Sequence, residues 1–425
     1  MKIDTLCVQG GWSPACGEPR QVPIYASTTF KYDTTAHMAD LFDLKASGYF
    51  YTRLANPTND QVAKKIAALE GGVGAILTSS GQAAATFSIL NLCSAGDHIV
   101  SSAQIYGGTF NLFNVSLKKI GIDVTFVDPK ASPEEIAAAI RPETKLIFGE
   151  TVANPSGSVL DIEKFANVAH AHGLPLIVDN TFATPILCRP FEFGADIVMH
   201  STTKYMDGHS SQVGGVIVDS GNFDWSRYPE RFACLVEPDP SYHGLSYTEK
   251  FGKMAFIVKA TAQLMRDYGS IPSPFNAFLL NLGLETLHVR IRRHAESALK
   301  IAEWLRKQPK VAWVNFAGLP DSTDHALVEK QFDGPSPCGV MTFGIRGGRE
   351  ASIAFMDALK LIGIVTHVAD AWSCVLHPAS HTHRQLTDEQ LKAAGIPPDL
   401  IRLSIGLEDP EDLIADLEQA LTHVK

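Results

Sequence analysis

Asp196-Ile197-Val198-Met199-His200-Ser201-Thr202-Thr203-Lys204-Tyr205 decides the reading of this chain: an apolar strand runs into hydroxyl residues and then a lysine. Its counterpart lies upstream, where Leu174-Pro175-Leu176-Ile177-Val178-Asp179-Asn180 reads as a second buried strand ending on a carboxylate. Ligands of open α/β sheets bind beyond the carboxyl ends of the strands, so these two segments place an amine, hydroxyls and an acid around one cavity. Working outward, strand-like apolar runs at 74–78, 98–101, 124–127, 146–149, 176–178, 197–199 and 215–218 alternate with helical patterns. That alternation predicts an α/β fold with a large, mainly parallel sheet covered by helices on both faces.

A lysine after a strand is ordinarily a solvated residue, and an aspartate at a strand end is ordinarily a helix cap. The pair in this order, with hydroxyls beside the lysine, suits pyridoxal phosphate (PLP). The Lys204 amine condenses with the aldehyde, Ser201 and Thr203 hold the phosphate, and Asp179 keeps the pyridine nitrogen protonated so that the ring accepts electrons. Ser79-Ser80-Gly81-Gln82-Ala83-Ala84 follows a strand and opens a helix, where backbone N–H groups and the helix dipole favour an anion; an ordinary strand-to-helix turn has the same look. Tyr106, in Ile105-Tyr106-Gly107-Gly108-Thr109, has a ring able to stack on a pyridine and a hydroxyl able to move protons, or it packs in the core. Arg402 opens the apolar run Arg402-Leu403-Ser404-Ile405, where a guanidinium is costly to bury unless it holds an anion, either a substrate carboxylate or a structural partner.

Other classes fit less well. Gly72-Val73-Gly74 lacks the third glycine of a dinucleotide fingerprint, and there is no Gly-Lys-Ser/Thr phosphate loop. The net charge of −10 opposes a nucleic-acid partner. No run of about 18 apolar residues spans a bilayer and the N-terminus lacks a signal-peptide core, so no membrane partner and a cytoplasmic location are expected. Seven cysteines without CxxC spacing read as reduced thiols, and the histidines of His377-Pro378-Ala379-Ser380-His381-Thr382-His383 lack the carboxylate neighbours of a metal site, so no metal is expected.

At 425 residues more than one core is expected. Residues 1–58, rich in Pro, Gly, Thr and aromatics, read as an extended arm; 59–284 as the cofactor domain, with an irregular insertion near the active site at about 220–275; and 285–425 as a smaller C-terminal α/β domain. That last domain is predicted to hold a helix over 285–307, strands at 340–345, 364–368 and 401–405, and a helix over 411–423.

Tyr51-Thr52-Arg53-Leu54-Ala55-Asn56-Pro57-Thr58, Ser80-Gly81-Gln82-Ala83-Ala84, Val178-Asp179-Asn180-Thr181, Ser201-Thr202-Thr203-Lys204-Tyr205 and Arg402-Leu403-Ser404-Ile405-Gly406-Leu407-Glu408-Asp409 jointly make the chain resemble the PLP enzymes of cysteine and methionine metabolism over essentially its whole length. These include cystathionine synthases and lyases, methionine γ-lyase and O-acetylhomoserine sulfhydrylase. The resemblance implies the aspartate-aminotransferase-like fold (fold type I), with Lys204 as the cofactor lysine, Asp179 on the pyridinium and Tyr106 over the ring. Gly81, Gln82, Ser201 and Thr203 would bind the phosphate. Tyr51 and Arg53 would reach the same phosphate from a neighbouring subunit, which makes the arm an intersubunit element in a homotetramer of paired dimers. Arg402, Asn154 and the loop at Ser373 would bind the substrate carboxylate, and Glu150 would line the cofactor pocket.

Within the family, Pro238-Asp239-Pro240-Ser241-Tyr242-His243-Gly244-Leu245 and Ser273-Pro274-Phe275-Asn276-Ala277-Phe278 look like the sulfhydrylases, as does Gly108 where γ-lyases carry a cysteine. Ala369-Asp370-Ala371-Trp372-Ser373-Cys374-Val375 departs from that subgroup, which more often has glycine first and a lysine before the serine, and Trp372 and Cys374 bear on the shape of the substrate pocket. The implied reaction is γ-replacement, O-acetyl-L-homoserine plus sulfide to L-homocysteine plus acetate, and the alternative is γ-elimination of the methionine γ-lyase type or a cystathionine γ-synthase-like reaction.

Overall fold

A computed structural model describes residues 1–381, 384 and 396–424. Seven strands, β1 (Gly74–Thr78), β2 (His98–Ser102), β3 (Asp123–Val127), β4 (Thr144–Glu150), β5 (Leu176–Asp179), β6 (Ile197–Ser201) and β7 (Gly215–Asp219), form one sheet in the order β1-β7-β6-β5-β4-β2-β3. Only β7 runs against the rest, pairing antiparallel with both β1 and β6.

The sheet is buried on both faces, and strand period two divides its apolar residues between two cores. Val100, Ile147, Val178, Val198 and Val218 point into one, packed on Ile66 and Leu69 of helix Pro57–Glu70 and on Phe165 of helix Ile162–Ala171. Ile99, Phe148, Ile177, Ile197 and Ile217 point into the other, beneath Ala84 and Phe87 of helix Gly81–Leu90. Edge strand β3 is the exception, with Asp123 exposed and only Val127 fully buried.

Irregular sequence over 220–275 folds as short helical turns rather than a detached loop. It carries Trp225, Phe232, Tyr247 and Phe256 into the second core, with Trp225 stacked on Phe256 at 5.7 Å between centroids. A regular helical period is hard to see in the sequence because the longest helical run, 255–268, is shifted in register by a π-helical segment at Ala260–Met265, and the other turns are short. The arm is not wholly extended: helix Ile3–Gln9 buries Cys7 in the first core, and a second helix spans Thr35–Phe42.

A smaller sheet follows, built of β8 (Val311–Asn315), β9 (Val340–Ile345), β10 (Gly363–Ile364), β11 (Cys374–Leu376) and β12 (Leu400–Ser404) in the order β10-β11-β12-β9-β8. Its core of Met341, Phe343, Ile401 and Leu403 is covered by Leu413 and Leu417 of helix Pro410–Thr422.

The helix predicted over 285–307 is Leu287–Leu305; a separate helix, Pro274–Glu285, precedes it, and Arg290 reaches back to donate to the carbonyls of Gly283 and Tyr205. One expectation is corrected here. The strand predicted at 364–368 stops after Ile364, since the carbonyls of Thr366 and His367 accept from the Arg402 guanidinium instead of a neighbouring strand. β8 and β11 escaped the sequence reading, β11 because three residues carry no period.

Candidate active site

Strand register brings the site together. Glu150 of β4 pairs with Asp179 of β5, and Asp179 with Met199 of β6, so three parallel strands end side by side. Antiparallel β7 joins the ends of β1 and β6, since both Thr78 and Ser201 are in register with Gly215. A side chain at Gly215 would meet the Ser80 carbonyl oxygen at 2.2 Å, so only glycine lets the turn after β1 close over it.

A cavity of about 230 Å³ lies beyond these ends, lined by Gly81, Gln82, Tyr106, Glu150, Asn154, Asp179, Ser201, Thr203, Lys204 and Arg402 among others. Ten of the thirteen residues singled out from the sequence thus meet in one place. Ser373, Tyr51 and Arg53 are elsewhere. Ser373 is buried, its N–H and hydroxyl donating to Glu408 at 2.8 Å each and its oxygen accepting from Gly406 N–H. Arg53 stacks over the Tyr51 ring at 5.2 Å and donates to the Arg266 carbonyl. No residue of 220–275 lines this cavity, but Ser270 anchors the turn leading to Gly81 through hydrogen bonds to both the N–H and the hydroxyl of Ser79.

At the anion end, Ser80 caps helix Gly81–Leu90 by accepting from Ala83 N–H, leaving the first-turn N–H groups of Gly81 and Gln82 without intrahelical acceptors. A Cβ at Gly81 would lie 2.6 Å from Ser201 Cβ, so glycine brings this helix end against the hydroxyl residue of β6. Thr203 Oγ1 sits 3.0 Å from the Gly214 nitrogen and 3.2 Å from its carbonyl oxygen.

At the acid end, Asp179 accepts at Oδ1 from the N–H and hydroxyl of Thr181, whose oxygen in turn accepts from Ser201 N–H at 2.9 Å. Burial raises the Asp179 carboxyl, and burial together with the neighbouring Asp179 raises Glu150 well above the usual range. Glu150 accepts from Tyr106 N–H, which fixes the start of the next helix. Among the described residues no lysine or arginine pairs with either acid. Two buried carboxyls without a cation are costly alone and suit a ligand that brings a protonated nitrogen.

Lys204 and Arg402 complete the cavity. Burial first, and the Arg402 charge second, lower Lys204 to about 8, so its neutral, nucleophilic form is accessible near neutrality. Arg402, 7% exposed, donates to Asn154 Oδ1 at 3.2 Å and to the carbonyls of Thr366 and His367 at 3.4 and 3.1 Å. Among the described residues no carboxylate pairs with this guanidinium. The donor set fits PLP on three counts: a helix N-terminus that closes against Ser201 only because residue 81 is glycine, buried acids without a lysine or arginine partner among the described residues, and a buried lysine of lowered basicity.

The sequence reading missed Thr181, Thr109, Phe182, Thr366 and His367. Thr181 had a signal, an Asp-x-Thr pattern in which the hydroxyl turns back on the acid. Thr109 holds Gln82 by donating to Oε1 at 3.2 Å. His367, with Nδ1 3.3 Å from Lys204 Nζ, had none, being 163 positions away. Tyr106 lies close over Gly108, where a Cβ would come within 2.5 Å of its ring. His377 bonds to Ser380 Oγ and the Pro398 carbonyl at 2.9 and 2.8 Å, while His383 lies outside the described residues. The seven cysteines are free thiols, and no helix among the described residues is long and apolar enough to cross a membrane.

Comparison with known proteins agrees with this geometry. O-acetyl-L-homoserine sulfhydrylase 1 of Thermus thermophilus is 46% identical, covering 99% of this chain and 100% of that one. The O-acetyl-L-homoserine sulfhydrylase of Corynebacterium glutamicum is 47% identical over 98% and 96%, and the homocysteine synthase of Schizosaccharomyces pombe 45% over 99% and 98%. A crystal structure from Campylobacter jejuni, provisionally described as an O-acetylhomoserine (thiol)-lyase and carrying a pyridoxyl-lysine phosphate residue, superposes with a TM-score of 0.95 at 37% identity, covering 99% of this chain and all of that one. The profile of the Cys/Met metabolism PLP-dependent enzymes matches residues 4–422, and the chain belongs to that family.

Proposed function

We propose that this protein is a PLP-dependent transferase that replaces the acetoxy group of O-acetyl-L-homoserine with sulfide, yielding L-homocysteine and acetate. The observation that carries the reading is the buried Arg402 guanidinium, which has no anionic partner among the described residues and shares a cavity with Lys204 and Asp179. A fixed cation of planar, forked shape matches an amino-acid carboxylate. The names of the full-length relatives supply the substrate class.

Bound PLP would supply an electron sink for the carbon skeleton of the substrate. Lys204 would hold the cofactor covalently, and its free, neutral Nζ would take the α-proton, pass it on, and so be neutral again to take a β-proton. Asp179 would keep a proton on the pyridine nitrogen, and Glu150, whose Oε2 accepts from Tyr106 N–H, would hold the tyrosine at the cofactor. The Tyr106 hydroxyl would give a proton to the departing acetate. Gly81, Gln82, Ser201 and Thr203 would hold the phosphate. Arg402 and Asn154 grip the substrate carboxylate, with the Ser373 loop behind them.

Tyr51 and Arg53 do not line their own chain's cavity and are offered to the phosphate of a neighbouring subunit, in a homotetramer of dimers that share active sites. We place the enzyme in the cytoplasm, in methionine biosynthesis. The arm (1–58), cofactor domain (59–284) and C-terminal domain (285–425) are the units of this reading.

Product analysis tests it. Homocysteine dominates when O-acetylhomoserine and sulfide are both present, and methionine alone releases little ammonia. Faster formation of 2-oxobutyrate and methanethiol from methionine than of homocysteine from the ester would reassign the enzyme as a γ-lyase.

A further inference from the structure

Lys204 has a neighbour that the proposed chemistry leaves unused. His367 Nδ1 lies 3.3 Å from Lys204 Nζ, and its Nε2 faces Asp370 Oδ2 at 3.5 Å, ion-pair range but without hydrogen-bond alignment. Asp370 is itself fixed, accepting from Ser210 Oγ at one oxygen and from Trp372 N–H at 2.8 Å at the other. The His367 backbone is fixed as well, its carbonyl accepting from Arg402 at 3.1 Å and from the Cys374 thiol at 3.3 Å. The backbone is thus held by Arg402 and Cys374, and the ring lies between Asp370 and the lysine.

A neutral imidazole has one N–H and one lone pair, and a carboxylate beside Nε2 favours the proton there. Nδ1 then presents its lone pair to Lys204. The ring stays neutral near pH 7, because burial, followed by the Lys204 charge, lowers its basicity. The other charges acting on it are Asp370 and Asp207, which favour protonation, and Arg402, which opposes it.

We propose that His367, oriented by Asp370, is a positioning residue that accepts a hydrogen bond from the free Lys204 amine and holds Nζ at the cofactor face whenever the lysine is not covalently engaged. A flexible four-carbon stem released in mid-reaction would otherwise sample many rotamers, and the proton transfers require it to return to one place. Arg402 then has a second part: while gripping a carboxylate it also pins the backbone of the residue that aims the lysine. This inference rests on the reading of Lys204 as the cofactor lysine.

The test is covalent attachment of PLP to cofactor-stripped protein, followed by visible absorbance across the neutral and alkaline range. The pH midpoint of the attachment rate reports the free Lys204 amine, about 8 in the wild-type chain. An acceptor for the ammonium raises that midpoint, so His367→Phe lowers it by about half to one unit, a roughly three- to tenfold loss of proton affinity for the margin by which a hydrogen bond from the ammonium exceeds one from the neutral amine. His367→Asn, whose amide oxygen can accept, keeps the wild-type midpoint. If His367→Phe does not fold, His367→Ala is read the same way. Attachment with an unmoved or raised midpoint in the Phe or Ala variant, or an Asn variant that behaves like Phe, overturns the role of His367 alone. Failure of the wild-type chain to attach PLP at Lys204 overturns the cofactor-lysine reading and this inference with it.

Discussion

Replacing Arg402 with lysine keeps the charge and removes the fork. Three of the five guanidinium N–H donors are spoken for, by Asn154 Oδ1 and the carbonyls of Thr366 and His367, which leaves two for a carboxylate. A lysine at 402 retains at most one charge-assisted contact and loses the backbone anchors that aim it. The loss of one such bond is about 1.5–3 kcal/mol, or about 10- to 150-fold in substrate affinity at roughly 1.4 kcal/mol per decade. The assay compares O-acetylhomoserine with 3-aminopropyl acetate, the same molecule without its carboxylate, by the spectral change each produces on the holoenzyme. Arg402→Lys weakens the acid by that factor and leaves the decarboxylated analogue nearly unchanged, so discrimination between the two collapses. Equal weakening of both ligands, or loss of cofactor with normal discrimination, would refute the carboxylate clamp.

Three further outcomes are expected. Mixing Arg53→Ala chains with Lys204→Ala chains restores part of the activity that each lacks, measured as homocysteine formation once subunit exchange is verified, as the proposed sharing of Arg53 between subunits requires. Gly81→Ala forces a methyl group to within 2.6–2.9 Å of Ser201, an overpacking cost of about 1–3 kcal/mol, seen as weaker PLP retention in dialysis and a lower melting temperature. In the cofactor-free chain, folding lowers Lys204 to about 8 from 10.5, so between those values the unfolded chain binds the extra proton and stability rises with pH. Denaturant titrations show this rise, and Lys204→Met, which has no such proton, flattens it.

The seven strands of the large sheet, the N-capped helix at Gly81 and the acid and lysine strand ends were legible in the sequence. Strand period, caps and glycine turns are local properties that a few consecutive residues carry. The resemblance gave Asn154 a role and chose one for Arg402, which spacing alone leaves between salt bridge and substrate clamp. The segment over 220–275 was illegible because most of its helical turns are short and its one longer run, 255–268, changes register through a π-helical segment, although it buries Trp225, Phe232 and Phe256.

Amino-acid order by itself determined the chemistry at hand: an amine, an acid and hydroxyls at the ends of neighbouring strands, on a chain whose alternating runs build a parallel sheet. Tertiary structure decided what those groups face. Burial of Lys204 beside Arg402 sets its basicity, the Glu150–Asp179 register puts two acids together, and the turn of Thr366 and His367 out of the sheet toward Arg402 brings an imidazole to the lysine. Desolvation and through-space charge depend on distances between residues far apart in the chain, and only folding fixes those distances.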